Sequence, residues 1–145
     1  MCSSDLVRAN PALCANLMEE TLRYWSPVNL VFQTVTTDVE MHGARVPAGS
    51  FLLSYISSAN RDERHFDEPM RFDIGRSPNK HMAFGLGGPH YCLGAHLARL
   101  EIRIWLEELI PYLPDLHLDG EVARMRSNFF NGIKRIPVRY EGDRV

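Results

Sequence analysis

Cysteine is scarce in this 145-residue chain: Cys2, Cys14 and Cys92 are too few and too scattered to frame a disulfide scaffold. The expected state is therefore free thiols in a soluble protein of a reducing compartment, with a cytoplasmic localisation. Long apolar runs are missing as well, so no membrane span is expected. The opening MCSSDLVRANP lacks the basic start and apolar core of a secretory signal. Charge of one sign is not in excess; a formal net charge of −2 offers nothing to a polyanion, and nucleic acid is not an expected partner. Repeats and low-complexity tracts are absent. What the chain does have is 45% hydrophobic residues, enough for the core of one ordinary domain.

The patterning predicts a first helix over Pro11–Trp25, with Asn10 as its cap, Pro11 at its first position and Ser26–Pro27 as its stop. From Asn29 to Ile56 the pattern is β: TVTTDVE alternates, MHGARV reads as a hairpin, and Pro47-Ala48-Gly49 turns into FLLSYI. A short helix is expected over Ser57–Arg64 and an irregular stretch over Phe66–Lys80. A second long helix follows Cys92 and ends near Pro111, with Leu93, Leu97, Leu100 and Ile104 as one apolar face. The tail reads as short strands around a loop at Ser127–Gly132. The fold class is mainly α with small β-sheets, α+β.

The stretch AFGLGGPHYCLGAHLARLEI carries the chemistry. Cys92 stands where a helix begins, and the unpaired N–H groups and dipole there favour a thiolate. Gly85, Gly87, Gly88 and Gly94 leave the flanking backbone bare, able to turn tightly or press against a flat ligand. Phe84 offers an aromatic wall and His90 a donor. A thiolate so placed is suited to axial ligation of haem iron. Two other readings stand beside it. A lone cysteine is often a small buried hydrophobe, and His81, His90, Cys92 and His96 are close enough in sequence to suggest zinc, although without the paired spacing of structural zinc sites.

FGLGGPHYCLG resembles the cysteine-ligand loop of the haem-thiolate monooxygenases, the cytochrome P-450 family, whose pattern is Phe-Gly-x-Gly-x-His/Arg-x-Cys-x-Gly. The resemblance implies that Cys92 is the proximal ligand of haem b iron, that Phe84 packs nearby and His90 bonds a haem propionate, and that Gly88 and Gly94 are the motif glycines. Phe84 to Cys92 is one residue longer than the commonest bacterial spacing, with the extra residue in the glycine run. EETLRYWSPV is similar to the family's Glu-x-x-Arg helix through Glu20 and Arg23, and Arg71 stands where the third member of that buried set is expected. The helical wheel agrees: Glu20 shares a stripe with Leu13, Leu17 and Tyr24, and a carboxylate facing a core needs a cation and further hydrogen bonds. LGAHLARLEI resembles the helix behind the haem, and SNFFNGIKRIPVRY the terminal hairpin.

The similarity runs in order along residues 1–145 and implies the C-terminal haem-binding portion of a cytochrome P-450 domain, without the N-terminal and central helices. Val28, Asn29, Leu30, Val31, Phe129 and Phe130 occupy regions that line the family's substrate pocket. Gln33 stands where the family commonly places a propionate-binding arginine; glutamine supplies neither the charge nor the fork. Arg99 and Arg103 are candidate docking charges for an electron donor. The resemblance implies insertion of one oxygen atom of dioxygen into an apolar substrate. Electrons would come from a ferredoxin- or flavodoxin-type donor served by an NAD(P)H reductase. The wording of GGPHYCLGAHLARLEI and SNFFNGIK is similar to bacterial members that oxidise sterol side chains and branched lipids. The chain itself is expected to be a truncated or partial product, inactive alone. The alternatives are an inactive remnant or haem-binding module, and a small zinc protein.

Overall fold

Helix α2 (Cys14–Trp25) is the axis of the fold in a computed structural model that describes residues 3–142. Cys2 lies outside the described residues. The single helix expected over Pro11–Trp25 is in two parts. Pro11–Leu13 form a 3₁₀ turn, with the Asn10 side-chain oxygen accepting the Ala12 N–H at 3.3 Å, and regular helix begins at Cys14. Proline at the first position loses no hydrogen bond there, because that N–H has no partner in any helix. Upstream, α1 (Ser3–Ala9) was not predicted; seven residues are too few to display a helical period. At the far end Ser26 adopts a left-handed φ of 31° and its N–H bonds the Leu22 carbonyl, so the helix stops at the expected Ser-Pro.

Strand β1 (Leu30–Thr34) then pairs antiparallel with β4 (Phe51–Tyr55), Gln33 opposite Leu52. Between them β2 (Val39–Met41) and β3 (Ala44–Val46) form the expected hairpin, turning on His42 and Gly43, both at positive φ. Of the anticipated Ser57–Arg64 helix only Ser57–Ala59 is helical, within the short α3 (Ile56–Ala59). Beyond it the Asp62 carboxylate accepts both the main-chain N–H and the guanidinium of Arg64, drawing the chain into a turn. Helix α4 (Ala95–Leu109) and a 3₁₀ segment (Ile110–Asp115) follow. The tail folds as β5 (Leu116–Leu118) on β8 (Val138–Tyr140) and β6 (Ala123–Arg124) on β7 (Ile133–Arg135), around the predicted loop. Helices with four small two-stranded sheets among the described residues match the expected fold class.

The core joins α1, α2, the irregular segment and the end of α4 through Val7, Cys14, Ile74 and Ile110, with Leu17, Phe72 and Leu106 against them. The apolar face predicted for the second long helix is not in it. Leu93, Leu97, Leu100 and Ile104 are 99%, 59%, 45% and 48% exposed, and α4 turns Ala95 and Leu106 inward instead. The helix is apolar on two sides, and periodicity alone cannot say which of them these residues cover.

Glu20 and Arg23 are fully buried, as the wheel required. Arg23 grips Glu20 in a fork, Nε to one carboxylate oxygen and Nη2 to the other, both at 2.8 Å. Its remaining N–H groups meet the carbonyls of Asn60 (2.8 Å), Pro69 (2.9 Å) and Arg71 (3.0 Å), which takes up all five donors of the guanidinium. Glu20 accepts in addition from the Asp73 N–H at 2.8 Å and the Asn79 amide at 3.1 Å. The third cation is not Arg71. That guanidinium is exposed and pairs with Glu68, and only its backbone carbonyl joins the network. Arg76 stands in its place, 3.3 Å from Glu20 with its side chain 8% exposed. Nothing in an irregular segment distinguishes two arginines five residues apart.

Burial pushes the Glu20 carboxyl up, but the Arg23 and Asp73 hydrogen bonds and the charges of Arg23 and Arg76 together hold it below its usual value. Its stabilising contribution is present above the ordinary pKa near 4.5 and is lost as pH falls through the lower folded value. Glu20→Gln leaves a buried guanidinium without its counter-charge and is expected to cost about 3–5 kcal/mol in urea unfolding at neutral pH. The loss should shrink on acidification below the carboxylate range. A loss under about 1 kcal/mol, typical of an exposed pair, would contradict this account.

Candidate functional site

The glycine loop, the β1–β4 ribbon and the segment after α3 enclose a cleft of about 900 Å³. Cys92, His90 and Phe84 line it from one side, and Val28, Val31, Phe32 and Gln33 from the other, with Ile56 and Met82 beside them. The loop is built to leave that wall bare. Gly85, Gly87 and Gly88 all take positive φ, and at Gly87 and Gly88 a Cβ would touch nothing within 4 Å. The bend is therefore set by backbone handedness, not by packing. The loop closes where the Cys92 N–H donates to the Phe84 carbonyl at 3.0 Å, and the Cys92 carbonyl accepts from the Ala95 N–H at the start of α4. Cys92 itself is exposed, which rules out a buried hydrophobe. Gly88 and Gly94 flank the cleft without lining it; Gly94 precedes the first residue of α4.

The base of the loop is anchored to the scaffold. Asn60, fully buried, accepts the Met82 N–H at 2.7 Å and donates to Ser26 Oγ at 2.9 Å, so the network around Arg23 reaches the loop directly. Of the proposed pocket residues, Val28 and Val31 line the cleft. Asn29, Leu30, Phe129 and Phe130 do not, although the terminal loop is tied alongside: Asn29 N–H donates to the Phe129 carbonyl at 2.8 Å, and Val28 forms a β-bridge with Phe130. Arg103 is exposed on α4 near Glu107. The four residues suggested for zinc do not converge; among the described residues no group of three or more His, Cys, Asp or Glu forms a metal-ligand set.

Arg99 is not a free docking charge. Its guanidinium turns inward, with Nε 2.6 Å and Nη2 3.1 Å from the two oxygens of Glu19, Nη1 3.1 Å from the Tyr91 hydroxyl, and the Phe84 ring 4.6 Å beneath it. Glu19 also holds His81 Nε2 at 2.7 Å, while His81 Nδ1 accepts the Ala83 N–H. With Nδ1 accepting, the ring proton is on Nε2, aimed at the carboxylate. Burial lowers the His81 pKa despite the opposing pull of Glu19, and the Arg99 charge adds to the lowering. Burial pushes the Glu19 carboxyl up, but the hydrogen bonds from Arg99 and His81 bring it below its ordinary value. The sequence reading missed Glu19 because its neighbour explained the Glu-Glu pair, and it met His81 only as a metal candidate. Nothing local marks the pairing of Glu19 with Arg99, because the two lie on helices far apart in sequence and a wheel drawn for one helix does not say which side faces the other.

Residues 8–125 match the sequence profile of the cytochrome P-450 family. The chain is 44% identical over 128 residues to a methyl-branched lipid omega-hydroxylase of Mycobacterium tuberculosis, covering 88% of this chain and 30% of that protein. It is 42% identical over 137 residues to a steroid C26-monooxygenase of the same species, covering 92% and 34%. Among solved structures, CYP109E1 from Bacillus megaterium in complex with testosterone superposes with a TM-score of 0.92 at 38% identity, covering 97% of this chain and 39% of that one. The chain thus spans about a third of the length of the curated relatives it matches.

Because His81 binds a proton less readily folded than unfolded, it contributes stability above its ordinary pKa of 6.5 that is lost as pH falls through that value. Lowering pH from about 7.5 to 5.5 is expected to reduce the unfolding free energy, and His81→Gln to flatten that part of the profile. A profile of unchanged slope in the variant would show that His81 is not the titrating group.

Proposed function

The chain belongs to the cytochrome P-450 family, and we propose that it supplies the haem-binding face of a haem-thiolate monooxygenase acting on an apolar, lipid- or sterol-like substrate. The observation that carries the proposal is the exposed Cys92 thiol on the wall of a cleft whose opposite wall presents Val28, Val31 and Phe32 beside Gln33. Haem is the cofactor the family implies, and the residues fit it. The cleft volume is in the range of cofactor sites, the loop wall is free of side chains at Gly85 and Gly87, and one thiol is available as a soft ligand. In this reading Cys92 would hold the iron of haem b, His90 and Gln33 would bind its propionates, and Phe84 would pack near the sulfur. The bound haem would supply the redox chemistry of dioxygen activation, with thiolate donation favouring O–O cleavage.

The chain's own contribution is binding and orientation. The bond from the Cys92 N–H to the Phe84 carbonyl holds the thiol's backbone, and Val28 and Val31 present apolar surface for a hydrocarbon substrate. The net reaction consumes dioxygen, two electrons and two protons, and yields hydroxylated substrate and water. The electrons would come from a ferredoxin- or flavodoxin-type donor reduced from NAD(P)H, with the exposed Arg103 a candidate for its docking. A cytoplasmic setting belongs to the same reading. No helix among the described residues is long and apolar enough to cross a membrane. The names of the relatives support the lipid and steroid substrate classes.

Reconstitution with haem followed by reduction under carbon monoxide tests the proposal. The parent chain should give the red-shifted Soret band of thiolate ligation, and Cys92→Ser should abolish it. Retention of that band in Cys92→Ser, or its absence in the parent, refutes the assignment. Gln33→Arg adds a charged donor beside the propionates and is expected to tighten haem binding about tenfold in titration. Weaker or unchanged binding would remove Gln33 from the propionate site.

A further inference from the structure

Adjacent carboxylates on α2 serve different partners. Glu20 faces the irregular segment through Arg23 and Arg76, whereas Glu19 faces the glycine loop through Arg99. Arg99 then reaches both flanks of that loop. It donates to the hydroxyl of Tyr91, the residue before Cys92, and lies over the ring of Phe84, the residue whose carbonyl receives the Cys92 N–H. At the tip the Gly88 carbonyl accepts the Tyr91 N–H at 3.1 Å, and at Gly87 and Gly88 there is open space where a side chain would stand. The side-chain contacts that tie the loop to another helix are those of Arg99 at its neck. We propose that Arg99 is a positioning residue for Cys92, clamping the Phe84 and Tyr91 flanks of the loop to Glu19 of α2.

The geometry suits arginine specifically. One planar group makes a two-point contact with Glu19, a further bond to Tyr91 and a stacked contact with Phe84, a combination that a lysine ammonium cannot make. The functional meaning of the clamp rests on Cys92 being the haem ligand; the clamp itself does not.

Two readouts separate these. In the haem-free full chain, amide hydrogen exchange at Cys92 reports closure of the neck. In the haem-loaded chain reduced under carbon monoxide, the ratio of thiolate- to thiol-ligated Soret bands, at equal haem content, reports placement of the sulfur. Arg99→Met is expected to speed Cys92 exchange about tenfold, as loss of a charge-assisted hydrogen bond implies, and to lower the band ratio several-fold. Tyr91→Phe, which removes only the hydroxyl, should shift both in the same direction by less, and Glu101→Gln, at an exposed position of α4, should shift neither. The proposal is overturned if Arg99→Met leaves Cys92 exchange unchanged. It is equally overturned if exchange rises alike throughout α2 and α4, the mark of general loosening. Should Arg99→Met fail to fold, a Tyr91→Phe chain with the parent's exchange overturns it. Failure of the parent to bind haem would sink the functional reading while the exchange comparison still decides the clamp.

Discussion

A carboxylate with no access to water organises this protein. Glu20 can remain ionised in the interior only because the Arg23 guanidinium of its own helix and, from the irregular segment, a second arginine, a backbone N–H and an amide converge on it. Removing a charge from water is expensive, so the arrangement holds only when complete. Arg23 repeats the logic in reverse, with no donor left over and its three carbonyl partners drawn from segments that have no regular structure. The irregular stretch from residue 60 to 80 is held in shape by these polar contacts, where a helix or sheet would have used its own ladder.

From that centre the order passes to the cleft by short links. Asn60 gives its carbonyl to Arg23 and its side chain to both Ser26 and the Met82 N–H, so the end of α2 and the start of the glycine loop share one residue. A step along α2, Glu19 reaches the same loop through His81 and Arg99. The soft part of the site, a run of glycines, is thus bounded by stiff ends. A preorganised ligand loop needs this arrangement, because a thiol that wandered would lose the advantage of being placed in advance.

What was legible in the sequence was what local chemistry dictates. Pro11, the Ser-Pro stop and the His42–Gly43 hairpin turn act within a few residues, and each appears where expected, with the 3₁₀ start of the first helix as the main amendment. The burial of Glu20 was legible because a helical period exposes a charged residue on an apolar stripe. Arg76 was not, since choosing between it and Arg71 depends on how an aperiodic segment folds back. Arg99 was misjudged for a related reason: a charge on a helix looks solvated until the facing helix is known to offer a carboxylate. The stripe of Leu97, Leu100 and Ile104 shows the same limit from the other side, since amphipathic pattern identifies a surface to be covered and not what covers it.

Gly87 and Gly88 show how a sequence can be constrained on an open surface. There is room for a side chain at both, yet the backbone there has a handedness that L-residues seldom accept. Chirality, and no neighbouring atom, is what restricts these positions to glycine. Of the ordinary replacements, asparagine and aspartate, whose short polar groups tolerate the left-handed basin, would be the least disruptive at Gly88, where φ is 77°. At Gly87, where φ is 114°, even they would be strained, so two neighbouring glycines that look interchangeable in a motif differ in how much variation the chain can absorb.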